Sequence, residues 1–261
     1  MLVRELEALL LTRFPKERAE EWDMPGMLVG DPVAAVSGVA CALDPTPEAV
    51  RAAAAAQANV LVTHHPTFLS APTLMTPQAQ TSSQAGAAVY EAARLGVSLI
   101  AMHTNLDRSD EALDLQAQLL GLTRTGRLEE PDGYGALLDA RGLTLGQLAA
   151  RAAKAYGCTP TVWGDDSRGL ETIAVCSGSL GSLGDVARSR DVSCVVAGEA
   201  GYHRLLELYL AGVAAILVGH DASERPYARL LASVIATEAP DTRITILDEP
   251  LRWHAWENGS E

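Results

Sequence analysis

The chain is poor in cysteine, in aromatic residues and in positive charge, and it has no long uncharged apolar run. Its four cysteines, Cys41, Cys158, Cys176 and Cys194, are scattered through 261 residues with no CxxC pair. Neither a disulfide framework nor a thiolate zinc site is encoded, and the cysteines, three of them inside apolar strand-like runs, read as small buried hydrophobes. Lys and Arg number 20 against 33 Asp and Glu, a formal charge of −13 without a basic cluster. That balance makes nucleic acid an unlikely partner, and an anionic substrate would need local help from metal ions or helix N-termini. Hydrophobic residues make up 48% of the chain, yet no uncharged apolar stretch reaches the roughly 18 to 20 residues of a membrane span. The N-terminal MLVRELEALLLTRFPKE is an amphipathic-helix pattern without a signal-peptide core or cleavage site. The expected location is the cytoplasm, with no membrane partner.

What the chain does have is a regular alternation of strands and helices. A strand is expected from about Ala34 to Leu43. Thr46, Pro47 and Glu48 then form an N-cap, a proline at the first helical position and an acid in the first turn of an Ala-rich helix. The apolar run from Ala58 ends in His64-His65-Pro66. Adjacent strand residues point to opposite faces, so the two imidazoles can share one spot only where the strand has ended, and Pro66 supplies that ending. Residues 70–83, rich in Pro, Thr, Ser and Gln, read as a loop or lid over this edge. A helix over 84–95 leads to the strand VSLIAM, which exits into His103 and Asp107. The expected fold class is therefore α/β, with chemistry at the carboxyl ends of its strands.

The pattern occurs twice. Cys41 to His64 spans 23 residues, and so does Cys176 to Glu199, both read as strand, turn, helix, strand and polar exit. Next, a Gly-Val leads one strand into His103 and Asp107, and another Gly-Val leads a strand into His220 and Glu224. Such self-similarity implies two related α/β units from an internal duplication. We expect the first over 1–125, completed by the segment 222–261, and the second over 126–221, with equivalent strand ends meeting in a cleft.

A histidine and a carboxylate four residues apart lie on one face of a helical turn, a spacing by which helices present two ligands to one metal. Three histidines and two carboxylates in one cleft suit a divalent transition metal, and the mixed N/O set without thiolate points to Zn, Mn, Fe, Ni or Co. His103 reads either as a ligand or as a group orienting one. Glu199 and His203, also four apart, either line the cleft or only cap a helix. The Ser/Gly segment 177–184 lacks the lysine of a P-loop and reads as a plain turn rather than a phosphate cradle. His254, in an aromatic C-terminal stretch, reads as packing or a subunit contact.

In this order along the chain, EEWDMPGMLVGDP, LVTHHPTFL, AMHTNLD, IAVCSGS, VVAGEAGYH and VGHDASE resemble the dinuclear-metal-centre hexamer family, the NIF-three-like proteins also called type 2 GTP cyclohydrolase I homologues. The resemblance implies two divalent cations per subunit held by His64, His65, Asp107, His220 and Glu224, with Glu224 bridging and His103 beside them. It also implies a toroidal homohexamer whose centres face an internal cavity. Two positions depart from the family's pattern, Met24 after Trp22-Asp23 and Leu69 after Phe68. The leading expectation is a metal-dependent hydrolase acting on a small-molecule, nucleotide-like substrate, with His103 and Glu199 as the catalytic proton-moving groups. The alternative is a non-catalytic metal-handling or regulatory hexamer. Two-metal phosphodiester cleavage of nucleic acid is a third reading, and the charge of −13 counts against it.

Overall fold

Strands buried on both faces read as near-continuous apolar runs, and three such runs form the centre of the first sheet. The computed structural model describes residues 1–248, and the expectation for His254 lies outside the described residues. In the first half, α1 (Val3–Arg13), β1 (Gly26–Val29), β2 (Val39–Ala42), α2 (Pro47–Ala55), β3 (Val60–Thr63), α3 (Gln84–Leu95), β4 (Ser98–Ala101), α4 (Thr104–Asp107) and α5 (Asp110–Leu120) follow in order. Every residue of β2, β3 and β4 is buried. Val39, Cys41, Val60, Val62 and Ile100 pack against α1 and the later helix α10 (Pro226–Glu238). Ala40, Ala42, Leu61 and Leu99 pack on the opposite face against α2 and α3, as the period of two requires. Thr46 caps α2 as expected, its Oγ1 accepting from the Ala49 N–H at 3.0 Å.

The second half supplies β5 (Thr123–Arg127), β6 (Ala136–Asp139), α6 (Leu145–Tyr156), β7 (Thr161–Trp163), β8 (Thr172–Ser179), α7 (Leu183–Ser189), β9 (Cys194–Glu199), α8 (Tyr202–Leu210), β10 (Ala214–Leu217), α9 (His220–Glu224) and, after α10, β11 (Ile244–Ile246). Among the described residues the strands form two sheets, ordered β1-β4-β3-β2-β11 and β5-β6-β8-β9-β10-β7. The second sheet is likewise covered on both faces, by α5 and α6 on one side and by α7 and α8 on the other. No helix among the described residues is long and apolar enough to cross a membrane.

The duplication is visible in the topology. β2, β3 and β4 run parallel, as do β8, β9 and β10. β1 adds antiparallel to β4 as β7 does to β10. Even an isolated bridge recurs, Leu2 with Ala35 and Thr144 with Gly169, beside the start of each unit's first helix. The two related units part company on one side: β11 lies parallel to β2, whereas β6 lies antiparallel to β8 and carries a further edge strand, β5.

Two expectations change. The strand expected from Ala34 is confined to Val39–Ala42, because the preceding backbone finds other partners: Ser37 N donates to Asn59 Oδ1 and Asn59 Nδ2 to Ala35 O, both at 2.8 Å. The Ser/Gly segment expected as a turn instead continues β8 through Ser179, pairing with Glu199 of β9.

Candidate metal centre

The carboxyl ends of β3, β4, β8 and β10 meet where the two units face each other. β3 delivers His64 and His65. β4 delivers His103 and, one short helix later, Asp107. β10 leads into α9, which carries His220 and Glu224 on successive turns. The strand at His64-His65 does end as the sequence requires: the His65 N–H leaves the β3–β4 ladder and donates to Leu43 O at 3.0 Å.

All five expected ligands converge. His64 Nε2 lies 3.7 Å from Asp107 Oδ1 and 3.8 Å from Glu224 Oε1. Glu224 Oε2 lies 3.0 Å from His65 Nε2 and 3.1 Å from His220 Nε2. Three sets have donor atoms within 4.8 Å of one another and could hold a metal ion: His64/Asp107/Glu224, His65/His220/Glu224 and His64/His65/His103. The first two share Glu224. Backbone packing makes room for that carboxylate: a Cβ on Gly178, which has φ +59°, would stand 2.2 Å from Glu224 Oε1.

Each imidazole turns its other nitrogen to an acceptor. His64 Nδ1 faces Met102 O at 3.0 Å, His65 Nδ1 faces Asp44 Oδ1 at 2.8 Å, His103 Nδ1 faces Asp23 Oδ1 at 2.9 Å and His220 Nδ1 faces Glu199 Oε1 at 3.0 Å. This is the arrangement by which proteins fix the tautomer and aim of metal-binding histidines, an N–H donated outward so that Nε2 keeps its lone pair for the centre. Glu199 thus sits behind His220, while His203 is exposed on α8 with its ring 5.5 Å from that of Tyr202.

The electrostatics describe a site built for positive charge. Burial and the neighbouring Glu224 carboxylate push Asp107 above its ordinary value, with His64 opposing. Glu224 goes well below its own: burial alone would raise it, and the surrounding His220, His64 and His65 outweigh burial. His65 is raised to about 10, because Asp44 and Glu224 overcome the opposing effect of burial. His220 is raised to about 9, chiefly by Glu224. The buried Glu224 thus draws protons onto His65 and His220, and those protons occupy the positions a cation would take.

The donor set fits such a cation. His64 Nε2 and Glu224 Oε2 are buried without an aligned hydrogen bond, a costly arrangement unless something else satisfies them. The centre opens on a cavity of about 420 Å³ lined by His103, Asp107, His220 and Glu224 at one end and by Trp22, Tyr134 and the 179–183 loop farther out. No residue of the 70–83 loop, expected as a lid, lines it.

Sequence reasoning missed the residues that hold the ligands. Asp44, just past the end of the strand expected to Leu43, carried no signal of its own, although β2 lies beside β3 in the sheet, so its exit belongs to the same edge as His65. Asp23 stood inside a quoted motif without a role; it accepts from the Thr104 N–H at 3.0 Å and also from the Thr104 hydroxyl, fixing the start of α4 beside His103.

Comparison with known proteins agrees with the fold and with the resemblance. A Streptomyces coelicolor protein called GTP cyclohydrolase 1 type 2 homolog is 33% identical over 245 residues, covering 89% of this chain and 83% of its own. A Clostridium acetobutylicum protein of the same name is 25% identical over 233 residues, covering 86% of this chain and 85% of its own. Among solved structures, the Staphylococcus aureus hypothetical protein SA1388 superposes with a TM-score of 0.87 at 22% identity, over 97% of this chain and 99% of that one, a likeness of fold. The model of the Duf34/NIF3 (NGG1p interacting factor 3) family matches residues 1–250, and the chain belongs to that family.

Proposed function

We propose that the chain binds two divalent cations and uses them to hydrolyse a small, nucleotide-like substrate. The observation that carries this reading is the sharing of Glu224 between His64/Asp107 on one side and His65/His220 on the other, at the end of a cavity wide enough for a small molecule. Divalent cations held there would supply a water of lowered pKa and offset developing negative charge. Asp107 and Glu224 would supply the anionic ligands, Glu224 being common to both groups, and the Nε2 atoms of His64, His65 and His220 the neutral ones. His103 lines the cavity with Nδ1 held by Asp23, which leaves its Nε2 as the group placed to move a proton. Glu199, engaged by His220 Nδ1, serves in this reading by holding that ligand.

The names of the relatives support a nucleotide as the substrate class. The same reading places a toroidal homohexamer in the cytoplasm, its six centres facing an internal cavity, each subunit divided into the unit 1–125 with the returning C-terminal segment and the unit 126–221.

The test is reconstitution of metal-free protein with Mn, Fe, Co, Ni or Zn, followed by a screen against nucleotides and light-scattering measurement of mass. The expected result is metal-dependent turnover by a particle of six times 27.5 kDa, reduced at least 100-fold in His64→Ala and Glu224→Ala with the fold retained. Two ions bound without turnover of any substrate would instead assign a metal-handling role, and turnover unchanged in either variant would remove the mechanism.

A further inference from the structure

A file of polar side chains runs from the core-facing side of α6 to the centre, and every hydroxyl in it points the same way. Tyr156 O–H donates to Gln116 Oε1 at 2.5 Å, Gln116 Nε2 donates to the Tyr227 oxygen at 3.3 Å, Tyr227 O–H donates to Ser177 Oγ at 2.8 Å, and Ser177 O–H donates to Asp107 Oδ1 at 3.3 Å. The direction is fixed by a backbone group. Gln116 Nε2 also lies 3.3 Å from Ser223 O, and a carbonyl tolerates only the amino end of the amide at that distance. Gln116 therefore presents its second N–H to Tyr227, whose single proton is left for Ser177, whose single proton is left for Asp107.

The file crosses both units. Gln116 is on α5, Tyr156 on α6, Ser177 on β8 and Tyr227 on α10. Gln116 and Tyr227 are 2% and 1% exposed, and both, with Ser177, stand in the wall of the cavity. Tyr227 also packs its ring on His64, with centroids 4.8 Å apart. Ser223, which orients Gln116, is the residue before Glu224, and its hydroxyl accepts from Gly178 N at 2.9 Å and donates to His220 O at 2.7 Å. One network thus touches ligands delivered by both halves of the chain.

We propose that Tyr227, oriented by Gln116, is a positioning residue for the metal centre, which through Ser177 fixes the aim of Asp107 Oδ1. The inference rests on the metal-binding reading above. It concerns one ion of the pair, because Asp107 belongs to the His64 set and not to the His220 set.

The probe is cobalt(II) titrated into metal-free protein, read by visible absorption and calorimetry. Tyr227→Phe, which keeps the ring against His64, and Ser177→Ala are each expected to weaken one of two cobalt sites about tenfold or more and to change its absorption, leaving the other site as in the wild type. Ser177→Thr, which restores the hydroxyl, is expected to restore the affinity. Tyr156→Phe, at the far end, gives a smaller change in the same direction. Should Tyr227→Phe fail to fold, Ser177→Ala decides. Unchanged affinity and absorption in these variants overturn the inference and leave metal binding standing. Equal weakening of both sites with a lowered melting temperature also overturns it, in favour of a purely structural role. Wild-type protein that takes up no cobalt overturns both readings.

Discussion

Glu224 is the side chain on which the centre turns, and its surroundings show how a buried carboxylate is kept ionised: three imidazoles face it, and each is braced from behind by an acceptor. Asp23 shows the same economy one step out. Burial opposes its charge, yet the bonds from His103 and Thr104 hold its carboxyl down to about 2, below the ordinary 3.8. Stability that depends on this carboxylate is therefore full above about pH 4 and is lost as pH falls toward 2. Thermal denaturation should find Asp23→Asn less stable than the wild type by about 2 kcal/mol at pH 5 and above, with the difference vanishing near pH 2; a constant difference would contradict the assignment. At this scale the proposed ligands were legible in the sequence, as histidine and acid at strand exits with a spacing of four, and the fold brings their side chains together. The residues that aim them were not. Asp23, Asp44, Gln116, Ser177 and Tyr227 act through neighbours distant in the chain, and no local pattern announces such pairings.

Among the elements, the central parallel strands do the positioning. β3 is buried on both faces and ends where its ladder must end, so that His64 and His65, which a continuing strand would turn to opposite faces, both reach the centre. Leu61, fully buried between α2 and α3, supplies the packing without touching a ligand. Leu61→Ala should lower stability by about 2 to 5 kcal/mol, read by urea unfolding, while the folded fraction keeps its metal stoichiometry. Loss of metal in the folded fraction would mean that β3 positions the histidines less rigidly than its burial implies. The central strands β2, β3, β4, β8, β9 and β10 were readable as apolar runs between caps. β1, β5 and β7 were not. Each lies at a sheet edge and is three to five residues long, and β1 and β7 owe their pairing to partners far along the chain, so their composition carries little strand signal.

For the whole molecule, duplication brings equivalent strand exits to one place. The first half of the chain brings His64, His65 and Asp107, and the exit of β10 brings His220 and Glu224 at positions equivalent to His103 and Asp107. The copies have diverged chemically: the residue equivalent to His64 is Glu199, which stands behind a ligand instead of entering the centre. The repeat was visible in the sequence because its spacing is unbroken at 23 residues; the reversal of direction between β11 and β6 was not, since it depends on which edge each late strand joins. The account stands or falls on a single carboxylate serving two ions, and electron paramagnetic resonance of manganese(II)-loaded protein tests that most directly. Two equivalents per chain with the spectrum of an exchange-coupled pair, reduced to uncoupled or absent manganese in Glu224→Ala, is the predicted result. One equivalent, or two with independent spectra in the wild type, would contradict it.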